Sequence, residues 1–131
     1  MAAIDLLLVD DESDFRSTLQ KRLIKRKLNV EGASGGEEAL EMLGQKSFDV
    51  VVLDVRMKGM DGIETLREIR KKYPSIEVIM LTGHAEVEIA MQGMELGAFD
   101  YLMKPMDIDD LLYKIQDAFK KKCIGEKRCG K

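Results

Sequence analysis

Apolar and polar positions fall in blocks along this chain. Ile4 to Val9 is an aliphatic run broken once, by Asp5, and it stops on Asp10-Asp11-Glu12. Val50-Val51-Val52-Leu53 is unbroken and ends on Asp54; Ile76 to Leu81 is broken only by Glu77 and ends on Thr82. Short, nearly continuous aliphatic runs of this kind mark strands buried on both faces of a parallel sheet. Two weaker runs complete the set. Leu28 to Ala33 is more polar and is therefore expected at a sheet edge, and Phe99 to Met103 ends on Lys104-Pro105.

Between these runs the period becomes helical. Ser13 to Lys27 puts Phe15, Leu19 and Leu23 one turn apart on one face, with Lys21, Arg22, Lys25, Arg26 and Lys27 outside. Ser34 stands three residues before Glu37, a capping-box signature for a helix through Leu43. The third helix runs from Ile63 to Lys72 and is stopped by Pro74. The fourth covers Ala85 to Leu96, its second half weakened by Gly93 and Gly97. Asp107 can cap a last helix through Lys122, with Leu111, Leu112, Ile115 and Phe119 facing inward. Strand and helix alternate five times with short connections. The expected fold is therefore α/β: a doubly wound five-stranded parallel sheet in the order 2-1-3-4-5, with helices on both faces. Its ligand crevice should lie at the carboxyl ends of strands 1 and 3. Met60, Met80, Met91, Met94, Met103 and Met106 read as core filler.

Size and charge narrow the classes. A chain of 131 residues, 45% hydrophobic and 34% charged, suits one soluble domain. The net charge of −3 gives no general attraction to nucleic acid. From Lys120 to Lys131 six Lys or Arg face one Glu without an aromatic residue to stack a base. That segment reads as a basic tail or the start of a linker (123–131) after a domain spanning 1–122. Cys123 and Cys129 lack further ligands for zinc and read as free thiols in a reducing cytoplasm. No stretch is apolar enough to span a membrane, and the N-terminus has no signal-peptide pattern, so a cytoplasmic location is expected.

The strand ends carry the chemistry. In the predicted order, Asp10 and Asp11 from strand 1 crowd Asp54 from strand 3. Carboxylates that close repel unless a cation is present, and such oxygen ligands suit Mg²⁺. Thr82 and Lys104, ending strands 4 and 5, add a hydroxyl donor and a positive charge for holding a phosphoryl group. A carboxylate in that company is set up to attack phosphorus. His84, two residues past Thr82, reads as a helix-start or surface residue near enough to bear on water access.

These stretches resemble the receiver domain of bacterial two-component response regulators. The resemblance rests on Val9-Asp10-Asp11-Glu12, Leu53-Asp54-Val55-Arg56-Met57, Gly59-Met60-Asp61-Gly62, Leu81-Thr82-Gly83 and Tyr101-Leu102-Met103-Lys104-Pro105. It covers Ile4 to Lys122 and looks most like the nitrogen-regulation type, the activators working with sigma-54, whose receivers often precede an ATPase domain. The resemblance implies that Asp54 is the phosphoacceptor and that Asp10, Asp11, Asp54 and the Arg56 backbone carbonyl hold Mg²⁺. It implies Lys104 as the phosphoryl clamp and Thr82 with Tyr101 as the switch pair. A sensor histidine kinase is the implied donor. Output is expected through helix 4, strand 5 and helix 5, to an output domain, a downstream protein or a phosphorylation-dependent homodimer. Lys58 stands where many relatives carry proline, which should loosen the loop after Asp54. The basic face of helix 1 reads as solvated, with kinase docking as a second reading.

Two other functions compete for this architecture. A Mg²⁺-dependent phosphohydrolase with an aspartyl nucleophile would resemble Asp-x-Asp, but Arg56 occupies the place of its acid–base partner. A flavin site on this flavodoxin-like order would need a Ser/Thr/Gly-rich loop after strand 1, where Asp10-Asp11-Glu12 would repel phosphate.

Overall fold

The structure is a computed structural model and describes residues 3–57 and 59–126. Five strands, β1 (Asp5–Val9), β2 (Asn29–Ala33), β3 (Val50–Asp54), β4 (Glu77–Thr82) and β5 (Asp100–Met103), form one sheet. All neighbours are parallel and the order is β2-β1-β3-β4-β5, as the alternation predicts. The helices are α1 (Ser13–Ile24), α2 (Gly36–Gln45), α3 (Gly62–Lys72), α4 (Val87–Glu95) and α5 (Ile108–Glu126).

Period-two side-chain alternation along the strands divides the core into two layers. Leu6, Leu8, Val50, Val52, Ile79 and Leu81 pack with Leu19 and Leu23 of α1 and Leu111 and Ile115 of α5. Leu7, Val9, Val51, Leu53, Val78 and Met80 pack with Leu43 of α2, Leu66 and Ile69 of α3 and Ala90 of α4. Because both strand faces are covered, the central runs are almost wholly apolar, with Asp5 and Glu77 at the first positions of β1 and β4. β2 takes an edge, in keeping with exposed Asn29 and half-buried Glu31.

Element ends differ from the sequence pattern where tertiary contacts decide them. α1 stops at Ile24, not Lys27. Lys27 adopts a left-handed φ of 71°, and Leu28 N–H donates back to Leu23 O (3.4 Å), which turns Leu28 into the core. Ser34 does not pair with Glu37. Its N–H and hydroxyl instead both donate to Glu38 Oε1, at 2.6 and 2.9 Å, and α2 starts at Gly36. The reciprocal capping box opens α3: Glu64 N–H donates to Asp61 Oδ1 (2.9 Å) and Asp61 N–H to Glu64 Oε1 (3.3 Å). A 3₁₀ turn, His84–Glu86, precedes α4.

Three expectations about individual residues change. Met91 is 51% exposed and is not core. Cys123, expected as a free thiol, is disulfide-bonded; α5 continues past Lys122 and carries Cys123 onto a fully buried position. Gly93 is more than a weak point, because a Cβ there would meet Met80 Sδ at 2.3 Å. Its missing side chain lets α4 lie against β4. Lys58 and Cys129 lie outside the described residues. Among those residues, no helix is long and apolar enough to cross a membrane.

Candidate functional site

Sheet register brings the chemistry together. β1 and β3 are hydrogen-bonded neighbours with Val9 opposite Leu53, so the next residues, Asp10 and Asp54, stand side by side at the carboxyl edge. Thr82 ends β4 opposite Met103 of β5, and Lys104 follows, its N–H donating to Thr82 O (2.7 Å). Asp10 is fully buried and Asp54 6% exposed. Asp10, Asp11 and Asp54 each offer a carboxylate oxygen, and these oxygens lie within 4.8 Å of one another.

The turns that hold these groups are built locally. The Glu12 N–H donates to Asp10 Oδ1 (2.9 Å), and Arg16 Nη1 donates to the Asp10 carbonyl (2.6 Å). After β3, the Arg56 N–H donates to Asp54 Oδ1 (3.2 Å). The chain then folds back so that Gly62 N–H reaches Val55 O (3.1 Å). Any Cβ at Gly62 would sit 2.7 Å from both Asp54 O and Val55 Cα. Only glycine allows α3 to start this close beneath Asp54.

Lys104 supplies the balancing charge. Its Nζ lies 3.3 Å from Asp10 Oδ2, 3.6 Å from Asp54 Oδ2 and 4.0 Å from Glu12 Oε1. The same ammonium sits 4.3 Å from the centroid of the Phe15 ring, a cation–π contact that steadies it from α1. Burial pushes the Asp54 carboxyl up to about 6. Lys104 opposes that rise, Asp10 adds to it, the Arg56 N–H opposes it, and Asp11 adds to it. A site that makes its own carboxylate costly to ionise is one that gains from an added cation. Three hard oxygen donors at this separation are a donor set that fits a divalent cation.

Asp10, Asp11, Asp54 and Lys104 converge. Thr82 is 1% exposed, and its hydroxyl donates to Gly83 O (3.1 Å). Tyr101 is half-buried on β5, packed against the core layer that includes Met80 and Ala90. His84 is exposed at the start of the 3₁₀ turn. Sequence reasoning gave no site role to Glu86, Met57 or Gly83, which line a cavity of about 450 Å³ with Asp11, Glu12, Asp54, Arg56 and Lys104. Arg56 Nη1 lies 3.4 Å from Glu86 Oε2. Nothing in the sequence links two residues thirty positions apart in separate loops. Phe15 read only as core because its second face, toward Lys104, depends on the β5 end.

Comparisons with known proteins agree with this geometry. The sequence matches the response regulator receiver domain family over residues 6–116. It is 43% identical over 115 residues to the transcriptional regulatory protein ZraR of Escherichia coli K12, covering 88% of this chain and 26% of that protein. It is 39% identical over 111 residues to the DNA-binding transcriptional regulator NtrC of the same strain, covering 85% and 24%. The chain thus spans about a quarter of the length of these curated relatives. Among solved structures, a response regulator receiver domain protein from Clostridium thermocellum superposes with a TM-score of 0.89 at 36% identity, covering 92% of this chain and 98% of that one. NtrX from Brucella abortus in complex with ADP gives 0.90 at 30% identity, covering 96% and 29%.

Proposed function

Since this chain belongs to the response regulator receiver domain family, we propose that it is a phosphorylation-driven switch in which Asp54 accepts a phosphoryl group from a sensor histidine kinase. The observation that carries the proposal is the convergence of Asp10, Asp11 and Asp54 within 4.8 Å, with Lys104 Nζ in reach of both Asp10 and Asp54. Asp10, Asp11, Asp54 and the Arg56 carbonyl would hold Mg²⁺, which when bound offsets the clustered negative charge and that of the phosphoryl oxygens.

The chain's own groups do the rest. An Asp54 oxygen forms the new P–O bond while the kinase histidine nitrogen leaves with the electron pair of the broken P–N bond. Lys104 clamps a phosphoryl oxygen, moving its ion pair from Asp54 to the new group. Thr82 donates its hydroxyl to a second oxygen, giving up the Gly83 carbonyl. Tyr101 follows into the space that Thr82 leaves. The second position after Asp54 is Arg56, which cannot serve as general acid or base, so the acyl phosphate persists as a signal and the domain is not a turnover phosphatase.

Output through α4, β5 and α5 is supported by Ile89 (39% exposed), Met91 and Tyr113 (66%) on those helices. Such apolar exposure fits a docking face for an output domain, a downstream protein or a phosphorylation-dependent second copy. We place the receiver at 1–126, past the expected boundary of 122 because α5 runs to Glu126 and buries Cys123, and the protein in the cytoplasm with its kinase. Intact-mass spectrometry after incubation with acetyl phosphate tests the central claim. A single phosphoryl adduct is expected with Mg²⁺ and none with chelator, and undiminished labelling of Asp54→Asn would overturn it.

A further inference from the structure

From the Arg56–Glu86 pair we infer a further role: Glu86 is a positioning residue that acts through Arg56 to set which small phosphoryl donors reach Asp54. The inference rests on the receiver reading above. Arg56 is fixed in the site by its backbone, since its N–H donates to Asp54 Oδ1. Its side chain, 81% exposed, extends across the mouth of the cavity to Glu86, at 3.4 Å. Both residues line that cavity with Asp54 and Lys104.

The Glu86 carboxylate is itself held. Its side chain is 15% exposed, and a Cβ on Gly83 would lie 2.8 Å from Glu86 Oε1. Glycine at 83 therefore makes the room in which this carboxylate is tucked. The arrangement spans two elements, the turn after β3 and the 3₁₀ turn before α4.

Charge at the mouth follows from this pairing. The cavity is lined by four acids, Asp11, Glu12, Asp54 and Glu86, against Arg56 and Lys104. Donors of phosphoryl groups are anions, so each uncompensated acid at the rim slows their approach. Glu86 adds one such charge and also ties up Arg56, the more exposed of the two cations lining the cavity among the described residues. Neutralising Glu86 removes a repulsion and frees Arg56; neutralising Arg56 exposes Glu86. The two changes act in opposite directions, and both weigh more on a donor of higher negative charge.

The test uses two donors of different charge, acetyl phosphate and the less negative phosphoramidate, with Mg²⁺ and the intact chain. In each case an Asp54 oxygen bonds to phosphorus, and acetate or ammonia leaves with the electron pair of the broken bond. The readout is the ratio of the two labelling rates, which misfolding would not shift in a charge-dependent way. Glu86→Gln is expected to raise the acetyl phosphate to phosphoramidate ratio about two- to fourfold, the scale of one unit charge across a wet rim. Arg56→Gln should lower it by a similar factor, and the double variant should return toward the wild-type value. The differences should shrink in high salt. Equal ratios in all four proteins, or both single variants moving the same way, would overturn the inference. Failure of both donors to label wild-type Asp54 would instead overturn the receiver reading on which it rests.

Discussion

Asp54 is one residue asked to be both buried and charged, and its behaviour without metal follows from that conflict. Its ordinary value of 3.8 is raised to about 6 in the fold, chiefly by burial. The protonated form is therefore favoured by folding. Its stabilising contribution is complete below about pH 4 and is lost as pH rises through about 6. Above that, the ionised Asp54 costs the metal-free protein on the order of 1–3 kcal/mol. Asp54→Asn should accordingly melt above wild type at pH 7.5 in chelator, and the gap should close near pH 4. Added Mg²⁺ should stabilise wild type preferentially by binding the folded state. Identical melting of the two proteins in chelator at pH 7.5 would refute burial as the cause. A second expectation separates the proposed metal ligands from the proposed clamp. Asp10→Ala with Asp11→Ala should weaken Mg²⁺ binding severely in calorimetric titration. Lys104→Ala should leave it intact or slightly tighter, because a nearby positive charge is gone; equal losses would contradict the division. At this scale the sequence was informative wherever a residue ends a strand, because the sheet places strand ends for any α/β chain. Glu86 and the second face of Phe15 were invisible, because their partners come from loops whose path no periodicity encodes.

Elements show a similar division between what patterning dictates and what tertiary contact decides. The central strands were legible as nearly continuous apolar runs because a sheet covered on both faces leaves polar residues to the strand ends. Helix existence was legible from the apolar faces of α1 and α5. Helix ends were not. The capping signature at Ser34 and Glu37 is real as a pattern, yet Glu38 is the residue that reaches Ser34. Asp61 with Glu64 forms the reciprocal box beside the site, where the chain must reverse under Asp54. That reversal makes Gly62 the most constrained glycine. A Cβ would meet backbone atoms of Asp54 and Val55 at 2.7 Å, and backbone yields less readily than a flexible side chain. Gly62→Ala should cost about 2 kcal/mol or more in urea unfolding, the range of an overpacked core. It should also reduce phosphoryl labelling, since relief of the clash displaces the loop that carries Arg56. A variant that lost stability yet labelled at the wild-type rate would show that α3 can shift without disturbing the acceptor. Gly93→Ala is the milder case. Its clash is with the flexible end of Met80, which has somewhere to go only if α4 lifts.

For the molecule as a whole, the question is how a change at Asp54 reaches a partner. The hydroxyl of Thr82 is engaged with the Gly83 carbonyl, so meeting a phosphoryl oxygen requires it to turn away from the 3₁₀ turn that leads into α4. In the proposed switch Lys104 would leave its pairing with Asp54 at the same time, and its backbone N–H is bonded to Thr82 O. Both movements load the ends of β4 and β5, between which Tyr101 sits half-buried. α4 rests on β4 through Gly93 and Met80, with little side-chain bulk to resist sliding, and its outer face exposes Ile89 and Met91. Helix α1 touches the Lys104 ammonium from the other side, through the Phe15 ring. Moving a two-state domain from mostly inactive to mostly active needs about 5.5 kcal/mol of differential stabilisation. One hydroxyl bond is worth only about 0.5–1.5 kcal/mol, rising to roughly 3 when the acceptor is charged. The remainder must come from Lys104 and repacking, or the unphosphorylated protein must already sample the active arrangement. NMR of the protein with Mg²⁺ and beryllofluoride, a phosphoryl mimic, distinguishes these outcomes. The largest shift changes are expected from Thr82 through α4 to Phe119 in α5, with exchange broadening in α4 before the mimic is added. Thr82→Ala should retain labelling at Asp54 but lose most of the α4 response. Changes concentrated on α1 and α2, with 85–119 unaffected, would rule out this route for the signal.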